Sequence, residues 1–470
     1  MKEKTTRRNL MKPTVKIAYI GGGSRGWAQK LICDLAKEDA FTAEISLYDI
    51  DKESAEKNAK IGNDLLTRED IIGKHTYSVA DTAEEALTGA TFVVLSILPG
   101  TFDEMESDVH LPEEYGIYQS VGDTAGPGGI IRAMRTIPIY RYYAEKIKEC
   151  CPKAWVINYT NPMTLCTATL YRVFPEIKAF GCCHEVFGTQ RILAAALKEL
   201  RGIEIPYKEV KVTVTGVNHF TWITKAQYQN IDLFELYREF AEKYHESGYG
   251  DQPFDTYGSF FHSRERVKID LFRRMGAIAA AGDRHLAEFC PGNWYLESPE
   301  RVAEWKFGLT PVSYRKEELV KRREKSDRLA RGEEQFKLHE TGEEGVILMK
   351  ALLGLTPSIV TNCNLPNRGQ CPDLPLGAIV ETNAEFSADS LKPVMADPMP
   401  PLVHNLVSRV CNEQQALLSA ILAYDYDAVF ECFAMDPLVT ISKVKARELF
   451  LRMLENTKAY VPYAEEYLRK

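Results

Sequence analysis

The run Gly21-Gly22-Gly23-Ser24-Arg25-Gly26 constrains this 470-residue chain more than any other stretch. It satisfies G-x-G-x-x-G and lies between an apolar strand pattern, Lys16 to Ile20, and a helical one with Trp27, Leu31, Ile32 and Leu35 on one face. Glycines let the backbone turn tightly and approach a pyrophosphate, whose charge then sits against a helix amino terminus. A second strand, Ala43 to Tyr48, ends at Asp49, in the place of the carboxylate that takes ribose hydroxyls. Asp51 follows, so a 2′-phosphate would meet repulsion, and NAD is expected rather than NADP. The expected cofactor-binding residues are Gly21, Gly22, Gly23, Ser24, Arg25, Gly26 and Asp49, against the alternative of a bare structural turn.

The alternation continues along the chain. Ala55 to Leu66 and Thr82 to Leu87 read as helices, and Thr91 to Leu98 as a central parallel strand. The glycine-rich stretch Asp123 to Gly129 precedes a helix with Ile130, Met134 and Ile137, and the strand Trp155 to Asn158 leads into Tyr159-Thr160-Asn161-Pro162-Met163. This predicts an α/β fold: a Rossmann-like, doubly wound parallel sheet of the lactate/malate dehydrogenase kind over 14–205, then a mixed α+β second domain over 206–470. In the second half, Val210 to Val217, Phe220 to Tyr228, Ser358 to Cys363 and Ala378 to Glu381 read as strands, with Asn364 to Gly369 as a loop. Leu402 to Leu422 and Lys443 to Leu454 are amphipathic helices. Arg315 to Lys337 is so charged that a solvated or subunit-rim helix is the expectation.

A formal net charge of −8 argues against nucleic acid or an anionic membrane as partner and favours a small polar ligand. No apolar run approaches the ~20 residues of a membrane helix. The eleven cysteines include the vicinal pairs Cys150-Cys151 and Cys182-Cys183 but no framework of CxxC pairs, which points to a reduced, cytoplasmic protein. Arg7-Arg8 mimics a twin-arginine signal, but the apolar stretch that follows is too short for a signal core, so a frayed basic tail is expected.

Cys182-Cys183-His184-Glu185 places thiol, imidazole and carboxylate together after a short apolar run. Two later clusters, Asn218-His219 and Gly282-Asp283-Arg284-His285, are candidates to complete one site with it. A thiolate and an imidazole, Cys183 and His219, suit a divalent metal such as Mn²⁺, Fe²⁺, Co²⁺, Ni²⁺ or Zn²⁺. Two ligands are too few for a closed structural site, so an open metal that accepts substrate oxygens is the economical idea. Taken singly, Cys183 reads as a core thiol and His219 as a strand-end histidine.

The ordered set resembles glycoside hydrolase family 4, whose NAD-dependent members lie outside the two-carboxylate scheme of most glycosidases. The resemblance rests on the glycine turn, Tyr48-Asp49-Ile50-Asp51, Gly126-Pro127-Gly128-Gly129, Asn161-Pro162-Met163, Cys183-His184, Asn218-His219 and Asn367-Arg368-Gly369, and spans nearly the whole chain after the tail. Cys183-His184-Glu185-Val186 resembles the α-galacturonidase subgroup; the phosphoglycosidase subgroups carry Asp or Asn after the cysteine. The resemblance implies that Cys183 and His219 hold the metal, foremost Mn²⁺, and that Asn161 meets the sugar beside the cofactor. It also implies that Asp283 is the base, His184 the acid, and Asp123 an acidic residue near the sugar. Bland readings stand beside these: a turn cap for Asp283, a hydrogen-bonded imidazole for His184, a helix-start carboxylate for Glu185.

The implied activity is hydrolysis of α-galacturonides by oxidation at C3, loss of the C2 proton, elimination of the glycosidic bond, water addition and re-reduction. A uronide carries a C6 carboxylate, for which Arg284 and Arg368 are the arginine candidates, with His285 as helper. The rivals are an α-glucosidase or α-galactosidase of the same family, a lactate/malate-type dehydrogenase, and a non-catalytic NAD-binding sensor. A homodimer or homotetramer is the implied assembly.

Overall fold

Valine, isoleucine, tyrosine and phenylalanine dominate the runs that form strands in the computed structural model, which describes residues 12–254 and 256–469. The Arg7-Arg8 pair lies outside the described residues. β1 (Thr14–Ile20), β2 (Thr42–Tyr48), β3 (Thr76–Val79), β4 (Phe92–Leu95), β5 (Trp155–Asn158) and β6 (Lys178–Gly181) pair in parallel in the order 3-2-1-4-5-6. That is the doubly wound order of dinucleotide-binding sheets. All four residues of β4 are buried, as a strand covered on both faces requires. The apolar run continues past Leu95, but the strand does not, because the Ile97 N–H leaves the ladder and donates to Thr160 Oγ1 at 2.9 Å.

β7 (Lys211–Val217), β8 (Phe220–Tyr228), β9 (Ile231–Asp232) and β10 (Ile278–Ala279) form a second, antiparallel sheet. β11 (Ile359–Pro366), β12 (Ile379–Ser387) and β13 (Ser390–Pro393) then return to the first sheet and extend it to nine strands. β11 joins β6 antiparallel at Asn364↔Gly181, so Asn364 to Pro366 is strand, and the expected loop starts only at Asn367. An unpaired β6 would leave open N–H and C=O groups beside the site; β11 covers them. A division at 205/206 therefore cuts the chain without separating two sheets.

The helix Gly126–Cys150 binds the two halves together. Its residues Ile130, Ile131, Met134 and Ile137 share one buried cluster with Val217, Phe220 and Trp222 from the second sheet and Val403 and Val407 from the carboxyl-terminal helices. Among the described residues no helix is long and apolar enough to cross a membrane. All eleven cysteines are free.

Candidate active site

The glycine turn forms at the carboxyl end of β1. Gly21 has φ +95°, and a Cβ there would run into the carbonyl of Ser96; one at Gly22 would come within 2.7 Å of Leu47 Cβ. Ser24 Oγ accepts the Trp27 N–H at 3.0 Å and so opens the helix Trp27–Leu35. Asp49 Oδ2 accepts the Gly23 N–H at 2.8 Å, and burial pushes its pKa up. Arg25 pairs with Asp51 at 3.1 Å and with the Ser54 hydroxyl. Backbone that only glycine can supply, a helix amino terminus and a carboxylate at the end of β2 together fit a dinucleotide.

The second half of the site starts from a two-residue connection. Asn218 and His219 join β7 to β8, and His219 takes a left-handed φ of +62°, a conformation costing on the order of 1 kcal/mol. Packing holds it there, because Phe220 stacks on Phe289 with ring centroids 4.9 Å apart at 16°. His285 lies one helical turn before Phe289, so this stack brings the His219 and His285 rings to 3.8 Å. Asp123, ahead of the helix Gly126–Cys150, completes a group whose ligand atoms all lie within 4.8 Å of one another.

Hydrogen bonds fix the tautomer of His219. The Thr124 hydroxyl donates to Asp123 Oδ1 at 2.6 Å, so its oxygen accepts the N–H of His219 Nδ1 at 3.0 Å, leaving the Nε2 lone pair free. Burial, helped by His285, drives the His219 pKa down to about 3, and burial lowers His285 as well. Burial alone would raise Asp123, but Arg132, the two imidazoles and the Thr124 hydroxyl hold it well below the usual carboxylate range. Two neutral imidazoles and an ionised carboxylate are a fitting donor set for a divalent metal with open positions. Glu185 stands behind them: its Oε2 accepts the Gly282 N–H at 2.8 Å, and its Oε1 lies 4.0 Å from His285 Nε2. Against the upward push of burial, His285 and His219 bring its pKa down to about 2.

The remaining candidates divide. Cys183 is buried and outside the 4.8 Å group, so of the expected pair Cys183 and His219 only the histidine belongs to the gathered set. The thiol, pushed up by burial, neighbours Glu381, Glu185 and the Asn218 amide. The Asn362 amide links the Cys183 carbonyl, at 2.9 Å, to Glu381, at 2.6 Å. Asn218 donates to the same carboxylate at 3.1 Å, making Glu381 the anchor beneath both motifs. Asn161 lies 3.4 Å from Asp123 through its Nδ2, while its buried Oδ1 has no partner among the described residues. His184 stands half-exposed on the rim, its Nδ1 3.8 Å from Glu343 and its ring 6.5 Å from that of Trp27.

Three of the expected residues have partners of their own. Asp283 is fully buried, and its Oδ1 accepts the Lys268 N–H at 3.0 Å, supplying the cap that Glu265 does not give the helix Arg266–Met275. Burial and the Glu265 charge raise its pKa; Oδ1 is taken by that helix start, its buried Oδ2 has no partner among the described residues, and the carboxylate lies outside the metal-ligand group. Arg284 does reach the site, yet its guanidinium is occupied by the carbonyls of Gly308, at 3.3 Å, and Ser120, and by the Thr310 hydroxyl. Arg368 is exposed beside Tyr171, whose hydroxyl bonds Ala179 near the start of β6, away from the strand end that carries Cys183. Sequence reasoning passed over Glu381, although a charged residue in an apolar strand pattern was the signal, and it gave His285 and Glu185 minor roles.

Residues 16–199 match the model of family 4 glycosyl hydrolases, and residues 214–439 match that of the family's C-terminal domain. An α-galacturonidase of Thermoanaerobacterium saccharolyticum is 59% identical over 449 residues, 95% of this chain and 96% of the relative. A Bacillus subtilis protein solved under the description of a glucosidase is 49% identical and covers 94% of this chain and 100% of its own, with a TM-score of 0.89. A 6-phospho-α-glucosidase from gut microorganisms, solved with NAD and Mn²⁺, shares the fold at 18% identity and a TM-score of 0.77, covering 96% of this chain and 99% of its own.

Proposed function

The chain belongs to the family 4 glycosyl hydrolases, and on that premise we propose that it hydrolyses α-galacturonides. It is a glycosidase that uses NAD and a divalent metal. What carries the choice of sugar is likeness over nearly the whole chain to an α-galacturonidase. When bound, NAD would supply a hydride acceptor and donor for C3 and the metal a Lewis acid beside the sugar, which together would make the C2 hydrogen acidic.

In this reading Asp123, His219 and His285 hold the metal, with Cys183 as a further ligand once its thiol is ionised. Asn161, with a free buried oxygen beside Asp123, orients the sugar hydroxyls. Glu185 accepts the C2 proton, as the carboxylate facing His285 that the metal set leaves unused. His184, on the rim, faces the departing glycosidic oxygen. Residues 14–205 supply the cofactor wall and 206–470 the opposite wall. Eleven free cysteines support a cytoplasmic setting, and a homodimer or homotetramer is the assembly to look for by sedimentation.

The test is release of nitrophenol from 4-nitrophenyl α-D-galacturonide in the presence of NAD⁺, Mn²⁺ and a thiol reductant. The proposal expects turnover that needs both additions and exceeds that of the α-galactoside and the α-glucoside. Equal or faster turnover of a neutral glycoside, or net NADH with the glycoside intact, would overturn it.

A further inference from the structure

Three arginines, Arg132, Arg284 and Arg315, gather on the sugar side of the site. Arg132 donates from Nε to the Asn161 carbonyl at 3.2 Å, and Arg284 is held by the carbonyls and hydroxyl described above. Arg315, from the helix Val312–Ala330, has no hydrogen bond or ion pair to its guanidinium among the described residues. The Phe261 ring is 5.1 Å from the Arg284 guanidinium and 5.4 Å from that of Arg315. The carboxylates near them have other partners: Glu288 accepts the Val121 and Gly122 N–H groups, and Asp123 and Glu185 face the imidazole group. Arg315 feels the field of Asp123 but makes no ion pair of its own among the described residues, and a partly buried cation without a direct partner is costly, so an anion beside it removes the cost.

The place of the helix says which anion. Seven residues on, and so on the same face about 10 Å along the axis, Arg322 brings Nη1 to 3.3 Å from where a Cβ on Gly26 would stand. One end of this face therefore overlies the glycine turn, where a pyrophosphate belongs, and the other end reaches the charge field of Asp123 and Arg132. We propose that Arg315 binds the C6 carboxylate of the sugar, and that this fork selects uronides over neutral hexosides. The inference rests on the galacturonide reading and deepens it: the first turn of a helix that is otherwise largely exposed lines the substrate.

Calorimetric titration of the full-length NAD⁺·Mn²⁺ enzyme with D-galacturonate and with D-galactose tests this, using wild type, R315Q and R315K. Wild type is expected to prefer galacturonate. R315Q should weaken galacturonate binding on the order of a hundredfold, leave galactose and NAD⁺ binding unchanged, and raise KM for the galacturonide; R315K should recover part of the loss. An equal loss for both sugars, or retained preference with weaker NAD⁺ binding, overturns the assignment, the latter placing Arg315 on the pyrophosphate. Should R315Q fail to fold, R315K decides alone, since an unchanged preference for galacturonate overturns the fork. No preference in wild type would instead sink the galacturonide reading itself.

Discussion

Asp283 is buried and Glu185 partly buried near the same loop, and their oxygens meet different partners. Asp283 caps the start of the helix Arg266–Met275, whereas Glu185 faces His285. Replacing Asp283 with alanine should cost about 1–3 kcal/mol through the uncapped amides, read from urea unfolding. The folded D283A enzyme should still exchange the C2 hydrogen of the sugar with solvent, whereas E185Q should lose that exchange and keep NAD⁺ and Mn²⁺ binding. Glu288 makes a different prediction. It accepts the Val121 and Gly122 N–H groups, and burial, with Asp123 adding to it, pushes its pKa from 4.5 up to about 8. A raised carboxyl in the folded state stabilises fully below about pH 4.5 and loses that contribution as pH rises toward 8. Wild type should therefore lose a few kcal/mol relative to E288Q across that window, measured by unfolding at several pH values; a flat difference would contradict it.

At the scale of elements, the hairpin β7–β8 and the helix Asp283–Phe289 are locked by the Phe220–Phe289 stack, which brings the two imidazoles together. Phe289→Ala should cost about 3–5 kcal/mol and weaken Mn²⁺ binding at least roughly tenfold, measured by titration; unchanged metal affinity would separate the stack from the site. Elements with a strong local period were legible in the sequence: β5 and β8 fall where expected, and the helix Pro401–Leu422 is displaced by one residue. The site was legible only where motifs sit at strand ends. Thr124 meets His219 across 95 residues, and Asp283 meets the amide of Lys268, pairings that no local period encodes. The helix Val312–Ala330 is largely exposed, as its charge predicts: Val312, Ser326 and Leu329 are its buried residues and Arg322, Arg323 and Arg328 are exposed, while Arg315 in its first turn is half-buried, a placement that composition does not encode.

For the molecule as a whole, one nine-stranded sheet carries the cofactor turn and the Cys183 loop, while the second sheet and the helices beside it carry the imidazoles. The helix Gly126–Cys150 belongs to both halves and sets the loop of Asp123 between them. A single body of this kind can hold a nicotinamide cofactor, a metal and a carboxylate around one sugar, which oxidation-assisted elimination requires and a direct displacement by two carboxylates does not. Hydrolysis of an α-galacturonide in D₂O with NAD⁺ and Mn²⁺ separates the two routes. Deuterium at C2 of the released galacturonate, with no net NADH, is the predicted result; a cleaved glycoside whose C2 still carries only protium would contradict it.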